Sequence, residues 1–205
     1  MSLPAILERI AQIDQIVAPK PPASTGGASP SGFLTALNDG IQRGSSLAAP
    51  AAAPAATGTG GAGALAAAQS QVGVSEQPPG SNDGPQIAEY RTATAGSGVG
   101  PWCAYFTSWA AAQAGVPLGE AGQGFGSVSA LYGWAQRTGR ATAAGPGVHP
   151  NPGDLIVWGG EHIGIVESVD PDGSIHTIEG NSSNAVSRRT YGPDGGGATG
   201  YVRLG

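Results

Sequence analysis

The stretch HIGIVESVDPDGSIHTIEGN, residues 162–181, decides the architecture. Two runs rich in Val and Ile flank Asp170-Pro171-Asp172-Gly173, the composition of a hairpin turn. If Pro171 and Asp172 form the turn, His162 lies opposite Asn181, Gly164 opposite Glu179, and Val166 opposite Thr177. Side chains opposed across two antiparallel strands share a face, so His162, Glu179 and Asn181 project together. A turn on Asp172 and Gly173 keeps that parity, and only an odd slip breaks it. The same register puts His176 on the reverse face, opposite Glu167, as a surface pair. Gly164 leaves room on the His162 face for a helix or a substrate backbone to approach.

Working outward, DLIVW (154–158), AVSRRTY (185–191) and GYVRL (200–204) read as further strands of an antiparallel meander. Gly159 and Gly160 let the chain turn just before His162. Upstream the period changes to helical. Residues 64–72 read as a helix, and a second starts at Pro85, capped by Asp83 and carrying Ile87, Tyr90 and Arg91. Another runs from Ser127 to about Thr138, with Leu131 and Trp134 inward and Gly139 closing it. Helices followed by antiparallel strands predict an α+β layer fold.

Between those helices lies GPWCAYFTSWAAAQAG, residues 100–115, with the chain's one cysteine. Trp109, Phe106 and Ala110 form an apolar stripe, and Gly115 stands at the C-cap position. Cys103 therefore falls in a helix's first turn, where unpaired N–H groups and the helix dipole favour an anion such as a thiolate. A lone cysteine is commonly just a small buried hydrophobe, so its role depends on a partner. His162 could be an edge-of-sheet histidine with no special task, but parity gives it companions suited to that part: Glu179 can fix one ring nitrogen and leave the other for a thiol, and Asn181 can do similar work without a charge. His149, in GVHPNPGD, reads as a loop residue. Asp154 suits turn chemistry, and Glu161 and Glu167 fall on the face opposite His162. Glu76 and Asp83 lack the ligand density of a calcium loop, so no metal is assigned.

Of the 205 residues 11% are charged, with a net charge of −5 and no basic stripe, which argues against a nucleic-acid partner. No run of 18 apolar residues exists to span a membrane. Residues 3–17 place Leu3, Ile6, Leu7, Ile10, Ile13 and Val17 on one helical face, and the start lacks the pattern of a standard secretory signal. Residues 18–32 read as flexible, residues 33–43 carry a second short apolar set, and residues 44–63 form an Ala/Pro/Gly-rich tether. The expected organisation is a flexible leader over 1–63 and a compact domain over 64–205.

WCAYFTSW, PGDLIVWGGEHIGIVES and IEGNSSN, in that order, make residues 64–205 resemble the CHAP family, the cysteine- and histidine-dependent amidohydrolases and peptidases of bacterial peptidoglycan. EQPPGSN (76–82) is similar to a segment of CHAP proteins from phage and wall-remodelling systems. The resemblance implies a papain-like fold with Cys103 as nucleophile, His162 as general base, Glu179 as orienting acid and Asn181 in support, with no cofactor. It implies endolysin-like cleavage of a peptidoglycan amide through a thioester, as an amidase or an endopeptidase. The alternative is an inactive CHAP-like binding module of a secretion, flagellar or phage-tail structure. The leader is similar to those of hydrolases carried by flagellar or other secretion machinery, which implies action outside the cytoplasm, at the wall, by an export route other than a standard signal.

Overall fold

The computed structural model describes residues 60–205. The leader helix expected over 3–17, the apolar set at 33–43 and most of the 44–63 tether lie outside the described residues. Four helices come first: α1 Gly60–Gln69, α2 Pro85–Thr92, α3 Cys103–Gln113 and α4 Val128–Arg137. Six strands follow: β1 Ala141–Ala143, β2 Leu155–Trp158, β3 His162–Val169, β4 Ile175–Ser182, β5 Ala185–Tyr191 and β6 Gly200–Val202. They form one antiparallel sheet in the order β1-β6-β2-β3-β4-β5, so the α+β expectation holds. No described helix is long and apolar enough to cross a membrane.

The sheet is buried on both faces, unequally. Leu155, Val157, Ile163, Ile165, Ile178 and Val202 meet the helices in the main core. Ile156, Val166, Ile175 and Tyr201 form a smaller cluster on the other face. The alternation along β2 and β3 thus sorts each strand between two apolar layers.

α3 is buried over every residue from Cys103 to Ala111, more than the single stripe expected from its sequence. It lies between α1, α2 and the sheet, and its alanines let these neighbours close in. Gly180 permits the contact with β4, because a Cβ there would fall 2.6 Å from Phe106 Cβ and 2.9 Å from the Trp102 ring. α1 begins at Gly60, four residues before the helix that the apolar pattern suggests. Its glycines are contact points: a Cβ on Gly153 would collide with the Gly61 backbone, and one on Gly61 would sit 3.3 Å from the Gly153 carbonyl.

The β3–β4 turn differs from the expected two-residue form. Asp170 N–H donates to Ser174 O and Gly173 N–H to Asp170 O, both at 2.9 Å, with Gly173 at φ +89°. This is a three-residue loop with a left-handed glycine. It pairs Val169 with Ile175 and Ser168 with His176, one residue out of the predicted register, so His176 faces Ser168 rather than Glu167. A bulge at Glu167 then takes up the extra residue. Beyond it Val166 pairs with Thr177 and Ile165 with Ile178, as the sequence predicts. An odd slip at the turn would have parted His162 from Glu179, and the bulge cancels it.

Candidate active site

β2 and β3 are joined by Gly159-Gly160-Glu161, with Gly159 at φ +57°. The Gly159 N–H donates to Thr199 Oγ1 at 2.7 Å, and Trp158 pairs with His162 across the turn. The Trp158 and His162 rings stack with centroids 5.5 Å apart and planes at 27°. Trp158 is itself held by its indole N–H, which donates to Gly195 O at 2.8 Å, and by Tyr191 at 5.0 Å between centroids. The imidazole thus has a fixed aromatic wall on one side.

Glu179 holds the ring from β4. Its Oε2 lies 2.8 Å from His162 Nε2, while Oε1 accepts from Thr177 Oγ1 at 2.6 Å and Tyr191 OH at 2.9 Å. Glu179 is 1% exposed. Burial pushes its carboxyl pKa up, but the hydrogen bonds from His162, Thr177 and Tyr191 hold it below the usual range. Gly164 makes room for this acid: a Cβ there would fall 2.7 Å from Glu179 Cγ. The space expected for a helix or substrate backbone is therefore taken up by the Glu179 side chain.

Cys103 enters from the helix layer. Trp102 stands at the N-cap of α3 and makes no side-chain cap, so no capping side chain occupies the first-turn N–H groups. Cys103 is 3% exposed, and its Sγ lies 3.9 Å from the Glu161 carbonyl, next to His162. With Nε2 engaged by Glu179, Nδ1 is the ring nitrogen left for the sulfur. Burial pushes the His162 pKa down, but hydrogen bonds to Cys103 and Glu179, and their negative charges, outweigh it and bring the ring up to about 9. The imidazole then holds its proton at neutral pH, and a protonated ring beside a sulfur is the pairing that supports a thiolate nucleophile.

The structure thus brings Cys103, His162 and Glu179 together. Asn181 has its amide bonded elsewhere than to the ring. Its backbone is left-handed, φ 58°, and its amide donates to Glu76 Oε1 at 3.0 Å and Asn82 Oδ1 at 3.1 Å. Asp154 and His149 fall as expected, in a turn and a loop, whereas His176 is not paired with Glu167. Asp154 accepts from the Asn151 N–H in a turn at 2.8 Å, and His176 pairs with Asp170. His149 lines a cavity of about 430 Å³ with Asp194 and Tyr201. The sequence reading missed Thr177, Tyr191 and Glu76. Strand alternation would have found Thr177, two residues before Glu179 on the same face.

A family model described as CHAP domain matches residues 94–181, a span that contains Cys103, His162, Glu179 and Asn181. Among solved structures the chain is similar to the crystal structure of N-acetylmuramoyl-L-alanine amidase from Staphylococcus aureus. That match is 18% identical, has a TM-score of 0.38 and covers 55% of this chain and 34% of that one, so this chain spans about a third of the amidase's length. No curated protein matches. The cysteine at a helix start and the histidine and acid on one hairpin all lie within residues 94–181, the span that matches the CHAP domain.

Proposed function

We propose that this domain is a peptidoglycan hydrolase that cuts an amide bond through a cysteine thioester. The observation that carries the reading is the division of the His162 ring: Nε2 is committed to a buried carboxylate at 2.8 Å, and the other nitrogen is left to the Cys103 sulfur. The match to the CHAP domain supports peptidoglycan as the substrate class.

In the proposed sequence the resting pair is the Cys103 thiolate beside the protonated His162 ring, and the thiolate attacks the amide carbonyl carbon. The carbonyl oxygen becomes an oxyanion, which the Cys103 backbone N–H at the start of α3 can meet. The C–N bond then breaks as His162 delivers its proton to the departing amine, leaving an acyl thioester on Cys103. Water attacks that thioester and gives one proton to His162, the new acid departs, and the Cys103 thiolate beside the protonated ring is restored. Glu179 keeps the ring oriented and stabilises its cationic form throughout, with Thr177 and Tyr191 holding the acid.

The test is digestion of purified cell walls. Cys103→Ala lowers the release of soluble fragments by at least about 10³-fold. Undiminished release by Cys103→Ala would falsify the reading and leave the inactive binding module in its place. Mass spectrometry of the products distinguishes an amidase, which frees the lactyl end of muramic acid, from an endopeptidase, which cuts within the peptides.

A further inference from the structure

A second buried carboxyl lies behind the site. Glu76 is 2% exposed, and each of its oxygens is occupied. Oε1 accepts from the Trp102 indole N–H at 2.9 Å and from the Asn181 amide at 3.0 Å, and Oε2 accepts from the Asn82 backbone N–H at 3.0 Å. A carboxyl taken out of water persists only with such donors. The backbone around it is fixed as well: Glu76 N–H donates to Asn184 O at 2.9 Å and Gln77 N–H to Asp83 O at 2.8 Å.

The residues this carboxyl joins are informative. Trp102 immediately precedes the nucleophile, and Asn181 lies two residues beyond Glu179. The Trp102 ring lies against Gly180, between the acid and Asn181. Sulfur and imidazole arrive from different layers, the helices and the sheet, so their separation depends on how the start of α3 is tied to the end of β4. Glu76 makes that tie. We propose that Glu76 is a positioning residue that sets the approach of Cys103 to the His162–Glu179 pair by clamping Trp102 to Asn181. The inference rests on the hydrolase reading above.

Glu76→Gln is the discriminating variant. It keeps the shape, but its amide N–H₂ must face at least one of the donors now bonded to the carboxyl. The readout is the rate of Cys103 alkylation by iodoacetamide in the full chain from about pH 5 to pH 10, beside wall digestion and thermal melting. The expected result is a folded protein whose alkylation below pH 7 falls by roughly tenfold or more, with digestion falling in step. Asp83→Asn is the control: it weakens the 2.8 Å ion pair to Arg91 in the same loop and should keep the wild-type profile. If Glu76→Gln does not fold, Trp102→Phe removes one donor only and should move the profile the same way by less. An unchanged profile in the folded variant overturns the inference, as does an equal shift in Asp83→Asn. Ordinary thiol reactivity in the wild type would instead overturn the hydrolase reading, and the inference with it.

Discussion

The β3–β4 hairpin carries a histidine–carboxylate pair near each end, and the two have the same contact distance. His162 Nε2 lies 2.8 Å from Glu179, and His176 Nε2 lies 2.8 Å from Asp170. The ring exposures are also close, 28% and 32%, but the acids differ: the Glu179 side chain is 2% exposed and that of Asp170 50%. Water screens the second pair and hardly reaches the first. The remaining nitrogens differ too. His176 Nδ1 meets Thr190 Oγ1 at 3.0 Å, whereas His162 has the sulfur. A histidine bonded to an acid is therefore a weak sign of chemistry. The informative signs are an acid shut away from solvent and a second ring nitrogen beside a nucleophile.

Glu179→Gln breaks this contrast most strongly. It removes the buried charge, and wall digestion should fall by about 10²-fold. The pH profile sharpens the point. A folded-state pKa of about 9 lies above the ordinary value of 6.5. The stabilisation from the protonated ring is thus present below pH 6.5 and is lost as pH rises through about 9. The proton for the leaving amine goes with it, so wild-type kcat/KM should decline above about pH 9. In Glu179→Gln this alkaline limb moves to lower pH, and a limb that stays in place would show that the acid does not hold the ring.

Tyr191→Phe is the intermediate case. It deletes one of the two hydroxyls on Glu179 Oε1, a bond of about 1 kcal/mol, and should slow digestion roughly fivefold while leaving product identity unchanged. A drop as large as that of Glu179→Gln would place Tyr191 against the substrate instead. His176→Ala gives the smallest effect. Activity should stay within about twofold, and the urea midpoint should report less than about 1 kcal/mol. If activity collapses with His176, the two ends of the hairpin are not different in the way described.

Much of this site was legible. Cys103 announces itself as the single cysteine at a helix start, and the period of two places His162 and Glu179 on one face. The turn itself was misread by one residue, and the prediction survived because Glu167 bulges. Glu76 was hidden for another reason. It lies 105 residues from Asn181 and 26 from Trp102, and no local pattern marks a carboxyl whose donors come from two other elements. Gly60 and Gly61 resembled a tether because composition cannot tell a glycine with nothing to pack from one that packs against Gly153.

The sequence alone determined which side chains alternate onto each face of the strands and where the nucleophile helix begins, because pleat, turn chemistry and helix period are set by near neighbours. The meeting of sulfur and imidazole, the enclosure of Glu179 and the clamp at Glu76 were decided only by the tertiary structure. The first and the last depend on how closely the helix layer settles on the sheet, and the enclosure of Glu179 on side chains from three strands; apart from Thr177, all of these partners lie far apart along the chain.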